Sequence, residues 1–353
     1  MIYRTVGAIV TALAVALTVG LAWFVAQTPG SVFSNESEHR IPPFESSGST
    51  TLITVKSGES AKSIGTTLQQ KGVVRSAKLF EVLVGVTGSQ NSLQAGDYEF
   101  DPGLPAIEVV KRIAEGKTAS RDVLIPEGRR LEEVGDLLEK ADVIGKQDFL
   151  TALKANYDEP FLKQTGPGSL EGFIFPATYS FNRKEKPEDV VDAMLRAFQQ
   201  QVADKVQLEG QNLTLAQVIT LASIVEREAE NPAERPLIAS VYLNRMRLGI
   251  ALQADPTVQY AVAESAASID KYGYWKKELT LDDLKLVSPY NTYVNPGLPP
   301  GPIANPGLAS IQAVVRPAST NFLFFVAKND GTGSHAFAET LEEHLRNVEK
   351  YQQ

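Results

Sequence analysis

Thr214-Leu215-Ala216-Gln217-Val218-Ile219-Thr220-Leu221-Ala222-Ser223-Ile224-Val225-Glu226-Arg227-Glu228 is the stretch on which the reading of this chain turns. Thr214 with Gln217 three residues later is a capping-box pattern ahead of an apolar run, so a helix begins here. At about 100° per residue, Leu215, Val218, Ile219, Ala222 and Val225 share one stripe, and Glu226 projects from it while Arg227 is turned away. A carboxylate on the apolar side of a helix needs a reason. A carboxyl group in apolar surroundings holds its proton to higher pH, which suits a general acid. The structural alternative is a helix-end glutamate paired with a cation such as Arg235 or Arg245.

The rest of the chain narrows the class. It has 353 residues, 43% of them hydrophobic, enough for two or three domains with a sizeable core. The net charge of -8, with 42 acidic against 34 basic residues, argues against nucleic acid as a partner. Cysteine is absent, which removes disulfides, thiolate nucleophiles and cysteine-ligated metals, and only His39, His335 and His344 are present. No metal site and no cofactor is expected.

Residues 6–26 carry no charge, a run of about 20 residues that suffices for a hydrocarbon core of ~30 Å. Arg4 precedes it and Glu36 and Glu38 follow, so residues 1–5 are expected in the cytoplasm and the remainder outside the cell membrane. A cleaved signal peptide is the rival reading. The run is long for one, and Phe24-Val25-Ala26 makes a poor cleavage site, so a retained single span is favoured. Residues 27–50, rich in Ser, Pro, Gly and Glu, read as a flexible tether.

Beyond the tether the fold class reads as α+β. Over residues 51–118, strands at Thr51–Val55 and Gly96–Phe100 enclose helices at Ser60–Lys71 and Ser76–Val86, with a further helix at Ile107–Ala114; Ile53, Ile64, Leu68 and Phe80 are core candidates. Residues 119–205 open with the strand Val123-Leu124-Ile125 and the turn Pro126-Glu127-Gly128, continue as amphipathic helices, and include an aromatic stretch at 169–179 that reads as irregular surface near a cleft. Residues 206–353 form the part containing Glu226: a helix over Arg235–Leu248, a break at Gln253–Thr257, Pro- and Gly-dense loops at 288–302, a helix over Ala309–Val315, and a doubly buried strand at Phe322–Ala327.

A set of motifs spread over nearly the whole chain now becomes informative. These are Pro126-Glu127-Gly128, Leu170-Glu171-Gly172 with Phe175-Pro176, the run ending in Glu226, Asn244-Arg245, Gln253-Ala254-Asp255-Pro256-Thr257-Val258, Tyr290-Asn291-Thr292-Tyr293, Gly297-Leu298-Pro299-Pro300-Gly301 and His335-Ala336-Phe337. In this order and spacing they resemble the MltG (YceG-like) endolytic murein transglycosylases. The resemblance implies a LysM-like glycan-contacting module at residues 51–118, a larger α+β catalytic region and a membrane anchor. It implies non-hydrolytic cleavage of MurNAc–GlcNAc β-1,4 bonds within peptidoglycan strands, leaving 1,6-anhydro-MurNAc ends, with Glu226 at the catalytic position. Peptidoglycan synthases as partners and a role in ending nascent strands follow by the same implication. Two departures stand out: Ala177 occupies the place of the usual aspartate after Phe175-Pro176, and the tract Ala263–Leu281, with Tyr272, Tyr274 and Trp275, is longer than the family pattern.

Ordinary glycosidases need two carboxyl groups. A lytic transglycosylase can work with one, because the sugar's own 6-hydroxyl attacks the anomeric carbon and supplies high effective molarity. Glu226 is the candidate for both proton transfers. Asp255 competes as a second carboxylate, although Asp before Pro commonly sets up a turn. Gln253, Tyr290, Asn291, Thr292 and Tyr293 either line the groove or satisfy backbone groups. Glu171 either orients the cleft or caps a turn. His335 is expected to hydrogen-bond near the cleft, and His344 to lie on a surface helix. A non-catalytic wall-binding scaffold is the reading from a different class, and a true hydrolase, which needs a second carboxylate or a held water, is a third.

Overall fold

The computed structural model describes residues 50–101, 104–165, 168–182, 185–208 and 212–352. The membrane span expected at 6–26 and nearly all of the tether lie outside them. Among the described residues no helix is long and apolar enough to cross a membrane. The described residues from Thr50 onward belong to one compact unit.

Its class is mixed α+β. β1 (Thr51–Val55) pairs antiparallel with β2 (Gly96–Phe100), Ile53 opposite Tyr98. Between them run α1 (Ala61–Gln70) and α2 (Ala77–Val86), each opened by a serine, Ser60 and Ser76, whose hydroxyl accepts an N–H of the first turn. α3 (Ala106–Ala114) follows β2 and buries Val109, Val110 and Ile113. These side chains join Ile53, Ile64, Leu68, Phe80, Val84, Tyr98 and Phe100 in one hydrophobic cluster contained within residues 53–113. All four core candidates of this stretch belong to it.

A second, larger cluster extends from Val123 to Val314. β3 (Ser120–Leu124) pairs antiparallel with the distant β4 (Thr178–Asn182). α4 (Leu131–Lys140), α5 (Lys146–Ala152) and α6 (Pro160–Thr165) lie between them in sequence, and α7 (Pro187–Phe198) follows, continuing as a π-helical turn over Gln199–Ala203. At the centre is α8 (Leu215–Glu228), begun by the expected Thr214–Gln217 capping box. It packs on α6, α9 (Arg235–Arg247), α10 (Asp255–Val262) and α12 (Leu308–Val315). α11 (Ala266–Tyr272) precedes the last of these, and the chain closes with the hairpin β5 (Phe324–Ala327), β6 (His335–Ala338) and α13 (Leu341–Tyr351).

Several expectations are corrected. α8 does not carry one apolar stripe: Val218 through Val225 are all buried, because neighbouring helices surround it. Residues 170–174 are core rather than cleft surface. The break at Gln253–Thr257 is short, since Pro256 sits in the first turn of α10, where its missing N–H is no loss. The strand at Phe324–Ala327 is only half-buried, being one strand of a two-stranded sheet.

Candidate active site

Glu226 lies in the last turn of α8 with its side chain only 7% exposed. Its Oε1 accepts a hydrogen bond from Arg235 Nη2 at 3.1 Å, and its Oε2 accepts one from Gly307 N–H at 3.0 Å, just before α12. The carboxyl group is thus sheltered but not in apolar surroundings: a guanidinium and a helix N-terminus face it. The ion-paired alternative is realised with Arg235. Arg245 is engaged elsewhere, donating to the carbonyls of Leu323, Ala251 and Leu252.

A second carboxylate stands at the same guanidinium. Glu127, in the turn after β3, lies 3.8 Å from Arg235 Nη2 and is 48% exposed. Burial, and then the charge of Glu226, push its carboxyl above the usual carboxylate range, against the pull of Arg235. One glycine leaves the space for this approach, and a second sets the turn beside it. A Cβ on Gly307 would overlap the Glu127 carboxylate, and Gly128, at φ +74°, lies against Glu226 and Arg227. Sequence reasoning places Glu127 in the Pro126-Glu127-Gly128 turn and assigns it no role. A carboxylate between Pro and Gly at the end of a strand is the signal that could have singled it out.

Asn305 ties the loops around Glu226 together. Its backbone pairs with Gly128 and Arg129, its Oδ1 accepts the N–H groups of Gly172 and Ile174, and its Nδ2 donates to Arg129 O and Glu171 Oε1. It is fully buried. Glu171 is buried with it and accepts the N–H of Leu131 at 3.3 Å, the first residue of α4. It therefore caps a helix rather than lining a groove. Burial, reinforced by Glu132, pushes its carboxyl up to about 8.

The remaining candidates divide. Asn291 and Thr292 are buried and satisfy backbone groups: Asn291 donates to Leu284 O and Leu286 O, and Thr292 accepts the Ala254 N–H and meets the Thr257 hydroxyl. Gln253 is exposed and held at φ +50°, a left-handed conformation rare for a side chain of this kind. Asp255 is exposed and accepts the Tyr293 hydroxyl at 2.6 Å instead of capping its own turn. Tyr290 packs against Tyr260 with the rings tilted by 43° and their centroids 4.6 Å apart, and the Arg130 guanidinium covers Tyr260. His335 is paired with Glu234 at 2.8 Å, and His344 stacks half-buried on Phe324, not free on the surface.

The tract Ala263–Leu281 docks through its aromatics. Trp275 lies under the Arg227 guanidinium at 3.9 Å and donates to Glu133, and Tyr274 meets Lys146 and Asp136. Arg227, immediately after Glu226, is held by this contact. One further buried carboxyl, Glu228, takes the Tyr242 hydroxyl at 2.6 Å and is pushed up to about 7 by burial. Among the described residues no group of three or more metal-ligating side chains is gathered.

The site is of the kind built from carboxyl groups arranged about a guanidinium, on a mixed α+β scaffold. Residues 53–350 match the YceG-like family. The chain belongs to that family. A Bacillus subtilis (strain 168) protein named endolytic murein transglycosylase is 33% identical over 328 residues, covering 88% of each chain. A Streptococcus pneumoniae (strain D39) protein of the same name is 29% identical, covering 85% of this chain and 58% of its own length. A solved yceG-like protein from Listeria monocytogenes is 32% identical and superposes with a TM-score of 0.55 over 84% of this chain and 98% of that one.

Proposed function

We propose that the protein is an endolytic peptidoglycan lytic transglycosylase with Glu226 as its single general acid and base. The observation that carries this reading is the sheltered Glu226 carboxyl, held from two sides at a confluence of loops, in a chain of this family. In the reaction Glu226 gives its proton to the glycosidic oxygen, the bond from that oxygen to the MurNAc anomeric carbon breaks, and the GlcNAc hydroxyl leaves. The MurNAc 6-hydroxyl then forms its bond to the same carbon and returns a proton to Glu226, so the residue ends as it began. Arg235 and the Gly307 N–H are aimed at the oxygens that become anionic between the two transfers.

A hydrolytic course is favoured by one observation, the presence of Glu127 at the same guanidinium, since a second carboxyl is what a hydrolase requires. Product mass spectrometry after incubation with sacculi separates the readings. Anhydro ends from wild type, and none from a folded Glu226→Gln, support the proposal; reducing ends identify a hydrolase. Co-sedimentation without new ends identifies a binding scaffold.

The proposal extends to the setting. The uncharged run at 6–26 supports a single-pass anchor with the catalytic region outside the cell membrane, and the separate hydrophobic cluster within residues 53–113 supports a LysM-like module at 51–118. The corresponding division is 119–205 and 206–353. Glycan strands are then the substrate, with peptidoglycan synthases as partners and termination of nascent strands as the role.

A further inference from the structure

Arg235 has a second environment besides Glu226. On its other side it forms the wall of a cavity of about 470 Å³ between the end of α7 and the outer face of α12. The cavity presents three cations, Lys205, Arg235 and Arg316, and three amides, Gln201, Gln207 and Gln312. No Asp or Glu is among its lining residues, in a chain whose net charge is -8. The Nε of Arg235 is buried and without a hydrogen-bond partner. The π-helical turn at Gln199–Ala203, an irregularity that tends to occur at functional sites, carries Gln201 and leads to Lys205.

We propose that this cavity is an anion-binding subsite that holds a carboxylate of the peptide stem borne by the glycan. The inference rests on the transglycosylase reading and names the part of the substrate that reading leaves undefined. α12 joins the two places: the N–H of Gly307, before its first turn, donates to Glu226, and Gln312 and Arg316 stand at its far end. That separation is roughly 13 Å of helix. A stem of about four extended residues spans it, at ~3.3 Å per residue. The muramyl lactyl group starts such a stem next to the scissile bond, and each stem carries free carboxylates. Guanidinium and ammonium groups, with amides beside them, are the donors that a carboxylate needs. A strand stripped of its stems keeps only the lactyl carboxylate beside the scissile bond, about 13 Å short of the far end of α12, and leaves these donors unused.

The test is the double variant Lys205→Glu, Arg316→Glu in the full chain, two residues remote from the proton transfers. With peptide-bearing strands the KM should rise about tenfold while turnover of amidase-stripped strands stays within about twofold of wild type. Lys205→Gln, Arg316→Gln should fall between. Calorimetric titration with the free stem peptide should show binding to wild type and its loss in the charge-reversed protein. Equal effects on the two strand types, or stem binding untouched by the charge reversal, would overturn the subsite. If wild type cleaves neither strand yet binds the stem through Lys205 and Arg316, the subsite stands and the transglycosylase reading falls.

Discussion

Arg235 Nη2 stands 3.1 Å from Glu226 Oε1, joining the first residue of one helix to the last turn of another. Both side chains are largely out of solvent, so each neutralises a charge the other would leave stranded. Replacing Arg235 by Ala should lower stability by about 3 kcal/mol, because the sheltered Glu226 carboxyl group keeps only the Gly307 N–H as a partner. Activity should fall with it, and Arg235→Lys should recover stability better than rate, since ammonium cannot reproduce the planar fork. Urea denaturation with parallel turnover assays measures both. A fully stable, fully active Arg235→Ala protein contradicts the arrangement.

Glu127→Gln removes the second carboxyl at that guanidinium without changing its shape. Burial and Glu226 hold the Glu127 proton to higher pH than usual, and on the reading in which Glu226 alone transfers protons the charge of Glu127 acts on the rate only through its field on Glu226. The variant should fold, lose roughly tenfold in kcat and show a displaced acid limb. A pH–rate profile superimposable on that of wild type would show that Glu127 neither transfers a proton nor influences Glu226.

Asn305→Ala should be among the most damaging single substitutions. It leaves the N–H groups of Gly172 and Ile174 without their acceptor and Glu171 Oε1 without its donor in a dry interior, while Arg129 O keeps the backbone N–H of residue 305. A loss of roughly 3 kcal/mol or more is expected, at about 1 kcal/mol or more for each buried group left unpaired. Thermal unfolding would show it, and an unchanged Tm would mean that water replaces the amide.

Trp275→Ala strips the ring from under Arg227 and leaves Glu133 short of one donor. Its direct cost should be about 1–3 kcal/mol. Because Arg227 adjoins Glu226, a drop in activity larger than the stability change would show that this tract supports the site; proportionate losses would make it a purely structural brace.

The buried carboxyls Glu171 and Glu228, pushed up to about 8 and about 7, make stability pH-dependent. The unfolded chain releases these protons near the ordinary value of 4.5, whereas the folded protein retains them to higher pH. Between those limits the folded state binds more protons, so their stabilising contribution is full below pH ~4.5 and is lost as pH rises through about 7 and about 8. Tm should fall by several degrees from pH 5 to pH 8, more steeply in wild type than in Glu171→Gln. A Tm rising over that range in wild type, or equal slopes in the two proteins, would contradict the assignment.

Local patterns in the chain determined much of this protein. The Thr214–Gln217 box, the serine caps at Ser60 and Ser76, the two strands at 51–55 and 96–100 and their core residues are all short-range features, and short-range chemistry is legible in one dimension. So were the motifs that mark the family, and Glu226 as the carboxyl to watch. Tertiary structure decided what surrounds them. The sequence leaves open whether Glu226 faces apolar neighbours or pairs with Arg235 or Arg245; Arg235 and Gly307 belong to other elements, and only the folded chain chooses them, because no periodicity within α8 encodes them. Glu127, Asn305 and Trp275 acquired their roles in the same way, through distant contacts: the bond from Gly307 to Glu226 joins residues 81 apart, that from Asn305 to Arg129 residues 176 apart and that from Trp275 to Glu133 residues 142 apart. Asn291 and Thr292 were drawn into the interior for the converse reason: a polar side chain in a Pro-rich loop goes wherever unpaired backbone groups are buried, and only the folded chain settles where that is.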